Sequence, residues 1–463
     1  MRCDLLIRNG TVVFPDETQQ TDIAISDGKI VEIGPSLSYT ADREIDGKGQ
    51  YVFPGIIETH AHMLLPFGGT FTMNDFYDGT RAGAFGGVTT LIDFADQIKG
   101  RSVLEAYDKR RKQTDGNCAV DYSLHCTLTD INDETIAAIP KLVEMGITSF
   151  KFYTAYSAGG LFVPMDQMKR AFEEVARCGA LATVHAEKES ILLDAMRMLR
   201  KQGKTLMPYF VESRPAEAEE AAVFDLVELC RQTGAALLIR HVSSEAGVRL
   251  ICGAQQEGLP VYGETCPHYL YLTREVYDRP DAADYIVNPP IRGEADREAL
   301  WNALKQGAAF TIGTDDCAFY RSQKRVSSRF MDIPGGFSGI ETRFLIMYEL
   351  GIRQRGLSLP HLSRLMSYNP SRLYGLFPRK GVLMAGADAD LFLVDPTQMT
   401  TISSKMMHEK TDYTVFEGFQ AHAAITYTVS NGKIIVDHGA DLTEKGAGRW
   451  IARSLPRKAV SYR

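Results

Sequence analysis

The chain contains no apolar stretch approaching the ~20 residues that a helix needs to cross a bilayer, so no membrane span is expected. Positive charge is not in excess either: 51 lysines and arginines stand against 58 aspartates and glutamates, a formal net charge of −7 at pH 7. A nucleic-acid surface needs a basic stripe, so no nucleic-acid partner is expected. Cysteine is present but unorganised. The eight residues (Cys3, Cys118, Cys126, Cys178, Cys230, Cys252, Cys266 and Cys317) form no C-x-x-C pair, which argues against a zinc knuckle or a disulfide frame and for reduced, buried thiols. The opening residues, Met1-Arg-Cys-Asp-Leu-Leu-Ile-Arg, carry an acid inside the first apolar stretch and lack a secretory layout. A cytoplasmic location follows as the expectation.

What is there divides into ends and middle. At 463 residues the chain is about three times the usual domain length, which predicts one large domain and a smaller one. Near the start, Leu5-Leu-Ile-Arg-Asn-Gly and Asp22-Ile-Ala-Ile-Ser-Asp-Gly-Lys-Ile-Val-Glu-Ile alternate with period two and carry Asn-Gly and Asp-Gly, the signals of hairpin turns. Near the other end, Val429-Ser-Asn-Gly-Lys-Ile-Ile-Val-Asp echoes Ile25-Ser-Asp-Gly-Lys-Ile-Val-Glu. Residues 1–53 and 377–440 are therefore expected to build one small β-sandwich domain. Residues 54–376 are inserted between them, and 441–463 form a tail, read as a subunit contact or a solvated arm.

The middle alternates strand and helix. Apolar, β-branched runs fall at 52–57, 88–94, 120–126, 147–153, 181–184, 236–239, 259–262 and 310–312. Amphipathic helical patterns lie between them at 164–178, 217–233 and 296–306, the first two closed by Gly179 and Gly234. Eight strands with intervening helices predict an α/β fold, a closed (β/α)8 barrel whose site lies at the C-terminal ends of the strands. An open doubly wound sheet would begin with a glycine-rich phosphate turn, and none follows the first run.

The polar residues at the ends of these runs carry the chemistry. His60 and His62 are separated by one residue, so in an extended strand both imidazoles leave the same face and offer two nitrogens to zinc or a related divalent ion. Alone, such a pair is weak. The fifth run, however, ends in His185, the sixth in His241 and the eighth in Asp315, while Lys151 sits in the fourth between two phenylalanines. In a barrel these positions converge on one mouth, where unpaired polar groups would each cost on the order of several kcal/mol. A metal site accounts for them better than packing does. Lys151 is the odd member, because an ammonium is repelled by nearby cations and poorly solvated inside a barrel. An adduct with carbon dioxide would turn it into a carbamate able to bind two ions; a structural lysine paired with a carboxylate is the alternative.

With these residues in hand, the chain resembles the D-hydantoinase/dihydropyrimidinase group of the metal-dependent amidohydrolases. The resemblance runs over nearly the whole chain, through Pro54-Gly-Ile-Ile-Glu-Thr-His-Ala-His, Pro66-Phe-Gly-Gly-Thr, Ser149-Phe-Lys-Phe-Tyr-Thr-Ala-Tyr, Gly263-Glu-Thr-Cys-Pro-His-Tyr-Leu, Asn288-Pro-Pro-Ile-Arg, Thr314-Asp-Asp-Cys and Ala387-Asp-Ala-Asp-Leu. It implies a hydrolase that opens hydantoins and 5,6-dihydropyrimidines to N-carbamoyl amino acids with two divalent ions, zinc being expected. His60, His62 and Asp315 would hold one ion and His185 and His241 the other, bridged by Lys151 as N6-carboxylysine. Asp315 would be the base, and Tyr156 would hydrogen-bond the developing oxyanion. Backbone near Asn288 and Gly335 would meet the substrate ring, and the loops 63–67, 94–96 and 153–162 would line its pocket. Leu64, Leu65, Phe67, Leu161 and Phe162 favour a bulky or aromatic 5-substituent. The resemblance also implies a homotetramer, or a homodimer.

Three departures from the family pattern matter. Asp316 replaces a usual histidine, Asn288 and Gly335 replace a usual serine and asparagine, and Leu64 replaces a usual aspartate. An inward-pointing Asp316 would alter metal affinity or the base. Dihydropyrimidinase or allantoinase-like activity is the alternative within enzymes. A non-catalytic scaffold is the alternative outside them, opposed by the retention of all six ligand positions.

Overall fold

The computed structural model describes residues 1–307 and 310–455. In its middle, apolar runs form strands covered on both faces, as parallel strands flanked by helices are. These are β1 (Ile56–Glu58), β2 (Val88–Asp96), β3 (Asp121–Thr127), β4 (Ser149–Tyr153), β5 (Leu181–His185), β6 (Ala236–Ile239), β7 (Val261–Thr265) and β8 (Phe310–Ile312). Each is parallel to the next in chain order. The ring closes just beyond β1 and β8, where Ala61 and Asp316 form a parallel bridge. There the His62 N–H donates to the Asp316 carbonyl at 2.9 Å and the Asp316 N–H to that of His60 at 3.3 Å. The expected barrel is present, and its seam runs between two of the predicted ligand segments.

Helices arise where the apolar spacing places them. Met165–Cys178 buries Met168, Ala171, Phe172 and Val175 and stops at Gly179, whose φ of +70° needs no Cβ. Ala216–Thr233 and Glu294–Lys305 occupy the other two predicted segments.

Both chain ends join one nine-stranded sheet. Strands Tyr51–Pro54 and Leu391–Asp395 pair antiparallel at its centre, flanked by Arg2–Val13 on one side and Ala424–Ser430 on the other. The two echoing hairpin turns meet although three strands separate their sheets' arms: a Cβ on Gly28 would lie 2.9 Å from the Asn431 carbonyl oxygen. The sheet therefore curls over on itself around a core that includes Leu5, Ile7, Ile25, Val52, Leu391 and Val429.

Three local expectations are corrected. The run at 52–57 belongs to two sheets, because Gly55 breaks it; a side chain there would collide with Thr89. Asn9-Gly10 is not a hairpin turn but a bulge within Arg2–Val13, where the Asn9 N–H is held by the Asp22 carboxylate at 2.9 Å. The tail is anchored to the barrel through Trp450, Ile451 and Arg453, although most of residues 441–449 are exposed. Trp450 bridges to Tyr122, and the buried Arg453 guanidinium donates to Ser123 Oγ at 2.9 Å and Ser149 Oγ at 2.8 Å, under the N-terminal end of the barrel. Residues 456–463 lie outside the described part. Among the described residues no helix is long and apolar enough to cross a membrane.

Candidate metal centre

A cavity of about 870 Å³ opens at the C-terminal rim of the barrel, and His60, His62, Lys151, His185, His241 and Asp315 all line it. His60 and His62 follow β1, Lys151 lies within β4, His185 ends β5, and His241 and Asp315 lie just past β6 and β8. Four residues of this mouth have left-handed backbones: Leu64 (φ +50°), Tyr156 (+73°), His241 (+39°) and Asp315 (+53°). Such conformations cost about 1–3 kcal/mol each and persist where the surroundings over-determine them, which is common at functional sites.

The hydrogen bonds behind the imidazoles decide which nitrogen faces the cavity. His60 Nδ1 lies 2.6 Å from Glu264 Oε1, and Glu264 Oε2 accepts from Arg240 at 2.8 Å and from Thr59 at 2.9 Å. The carboxylate has no proton to give, so Nδ1 carries it and Nε2 keeps its lone pair. That lone pair points at Asp315 Oδ1, 3.0 Å away, with His62 Nε2 3.3 Å from the same oxygen. His185 repeats the pattern. Its Nε2 lies 2.8 Å from Glu187 Oε2, which leaves Nδ1 as an acceptor facing His241 Nε2 at 2.9 Å. His241 Nδ1 is buried with no hydrogen-bond partner. Burial lowers the pKa of His60, His185 and His241, keeping them neutral and able to ligate. Burial alone would raise the Asp315 carboxyl, but the charge and hydrogen bonds that His60 and the neighbouring imidazoles offer when protonated lower it well below the usual range. Ligand-capable atoms thus face one another across the cavity, an arrangement that a cation between them would bridge. The donor set fits divalent metal, and ligand atoms of His60, His241 and Asp315 all lie within 4.8 Å of one another.

Lys151 is 1 % exposed, and among the described residues its Nζ makes no hydrogen bond. The rings of Phe94 and Tyr153 lie 5.6 and 5.0 Å from it. Burial, followed by repulsion from Arg240, pushes its pKa down to about 7. No carboxylate pairs with it. Cys317 also approaches His62 and Asp315, but burial raises its thiol well above the ordinary value, which disfavours the thiolate that a metal needs.

The remaining predicted residues divide. Tyr156, Asn288, Gly335, Leu64 and Phe67 line the cavity, as do Leu65 and Leu161. Phe162 does not; it bridges to Tyr153 and its carbonyl accepts from Lys99 at 3.2 Å. Asn288 and Gly335 are a matched pair, since a Cβ on Gly335 would stand 2.8 Å from Asn288 Nδ2. Asp316 turns away from the cavity: its Oδ1 accepts from the backbone of Gly339 at 2.6 Å and Ile340 at 3.2 Å. Sequence reasoning missed the partners Glu187, Arg214, Arg240 and Glu264. A charge inside an apolar strand, as at Glu264, was the available signal.

The amidohydrolase family profile matches residues 51–435. A D-hydantoinase of Geobacillus stearothermophilus is 36% identical over 97% of this chain and 96% of its own length. A D-phenylhydantoinase of Escherichia coli is 34% identical over 97% of this chain and 98% of its own length. Among solved structures, a dihydropyrimidinase of Brevibacillus agri matches with a TM-score of 0.96 at 37% identity, covering 98% of this chain and 99% of that one. An L-hydantoinase of Arthrobacter aurescens matches at 0.90 and 29% identity, covering 97% and 100%. The chain belongs to the amidohydrolase family, a metal-dependent family, within its branch of D-hydantoinases and dihydropyrimidinases.

Proposed function

We propose that this chain hydrolyses the cyclic amide bond of hydantoins and 5,6-dihydropyrimidines, releasing N-carbamoyl amino acids, and that it favours bulky or aromatic 5-substituents. Cyclic amide hydrolysis as the reaction class follows from family membership; the substituent preference goes further. His60, His62 and Asp315 would hold one divalent ion and His185 and His241 a second, with Lys151, as its N6-carboxylate, a further ligand. Zinc is the expected metal, from the imidazole-rich donors. The near-neutral, unpaired amine of Lys151 supports the carbamate, because it is the free amine that adds to carbon dioxide. When bound, such ions acidify water and polarise an amide carbonyl.

The protein's own groups do the rest. Asp315 takes the proton released from the attacking water and returns it to the leaving ring nitrogen. Tyr156, at the cavity wall, donates its hydroxyl proton to the oxygen on which negative charge develops. Asn288 and Gly335 hold the ring. Leu64, Leu65, Phe67 and Leu161 give the 5-substituent an apolar wall, which supports the preference for large groups. The observation that carries the proposal is the convergence of ligand-capable atoms of His60, His62, His185, His241 and Asp315 on one cavity, paired at 3.0, 3.3 and 2.9 Å. A cytoplasmic homotetramer, or homodimer, belongs to the same reading, and light scattering tests the assembly.

Turnover of hydantoin, 5-phenylhydantoin, dihydrouracil and allantoin by the metal-loaded enzyme tests the assignment. The expected order places 5-phenylhydantoin first in kcat/KM. Dihydrouracil or allantoin ahead of it would overturn the preference; no turnover of any of them at full metal content would overturn the function.

A further inference from the structure

Behind Tyr156 lies a charged pair that the reaction does not use directly. Arg214 follows the short helix Phe210–Ser213, and its Nη2 donates to the Tyr156 hydroxyl at 3.0 Å. The same guanidinium grips Glu187 through Nε, at 3.1 Å from Oε1, and through Nη2. Glu187 is fully buried and takes the Nε2 proton of His185. Arg292 in turn donates to the Arg214 carbonyl at 2.5 Å, and the Tyr156 ring packs under the guanidinium at 5.2 Å. A guanidinium has donors only, so it can meet the phenol oxygen only at a lone pair. The hydroxyl proton must then point elsewhere, and the side of Tyr156 away from Arg214 is the cavity.

We propose that Arg214 is the positioning residue that turns the Tyr156 proton towards the substrate oxygen, and that through Glu187 it locks the hydroxyl and the His185 ring into one unit. The inference rests on the role given to Tyr156 above. Lysine cannot replace it fully, because one ammonium lacks the fork that spans a carboxylate and a phenol together.

A double-mutant cycle of Arg214→Ala and Tyr156→Phe, with metal content measured for every protein and added guanidinium as a rescuing probe, tests it. Arg214→Ala should lower kcat by about ten- to a hundred-fold with a smaller change in KM, and guanidinium should restore part of the loss. In the Tyr156→Phe background the same change should cost less than about threefold, and guanidinium should do nothing. If Arg214→Ala costs the same factor in both backgrounds, or its loss simply follows lost metal, Arg214 does not act through Tyr156 and the proposal falls. Full activity of Tyr156→Phe alone would instead remove the tyrosine's own role. Should Arg214→Ala not fold, Arg214→Lys carries the same cycle, with an intermediate loss expected only where Tyr156 is present and an equal loss in both backgrounds overturning the proposal.

Discussion

Asp315 combines a left-handed backbone with a carboxylate that lies against the imidazoles of His60 and His62. Asp315→Asn keeps the shape and one oxygen, so metal content should stay nearly whole while kcat falls by about 10²–10⁴-fold, the usual contribution of a general base; full turnover in this variant would contradict the assignment. Lys151→Ala should lose metal, as read by elemental analysis, and regain part of it with a short-chain carboxylic acid supplying the missing oxygens. Unchanged metal content would argue against a bridging carbamate. A separate carboxyl pair lies behind the seam. Glu409 is held protonated by burial and then by the charge of Asp316, which raise its pKa well above the ordinary value. In the unfolded chain it ionises near the usual glutamate pKa, so the native state binds the extra proton and loses stability as the pH rises from there through the folded value. Glu409→Gln removes that titration while keeping a donor for Asp316. Its melting temperature relative to the parent should therefore climb as the pH rises above the ordinary glutamate range, at fixed metal loading; a constant offset would refute the pair.

At the scale of elements, the substrate-facing segments are loops tied down from behind. The fully buried Lys324 ammonium donates to three backbone carbonyls, Ile286 at 2.9 Å, Pro334 at 2.6 Å and Gly336 at 2.8 Å. These flank Asn288 and Gly335, so one side chain sets the distance between two stretches that line the cavity and are proposed to hold the substrate ring. Lys324→Met leaves three buried carbonyls without that donor. KM should rise by roughly tenfold or more with kcat and metal content less affected, because ground-state and transition-state binding are lost together. Steady-state kinetics beside metal analysis decides it; an unchanged KM would show that the loops hold themselves.

Across the whole molecule, the barrel and the curled sheet are joined by a buried ionic cluster. Lys380 is 1 % exposed and contacts Asp121 at the foot of β3 at 2.5 Å, Asp388 at 3.1 Å, and Asp390. Arg449 reaches Asp121 at 2.9 Å and Asp388 at 3.0 Å. Three clustered carboxylates resemble a cation site, but four protein cations, Lys29, Arg379, Lys380 and Arg449, already pair with them. Lys380→Met should destabilise the fold by about 3–5 kcal/mol, the cost of stranding one side of a buried pair, measured by denaturant unfolding. Metal bound per folded molecule should not change, since the cluster lies at the opposite end of the barrel from the cavity.

The strand–helix alternation, the polar residues at the strand ends that line one cavity and the echo between the two chain ends were legible in the sequence, because side-chain period and turn chemistry are local properties of the backbone. The bulge at Asn9 and the break at Gly55 were not, since each is decided by what packs against it: Asp22 in one case and Thr89 in the other. The same holds for the exclusion of Phe162 from the cavity and for Arg453 beneath the barrel. Most of all, tertiary structure alone decided which nitrogen of His60 and of His185 faces the cavity. That choice depends on partners such as Glu264, 204 residues from His60, which come within hydrogen-bond reach only when the barrel closes.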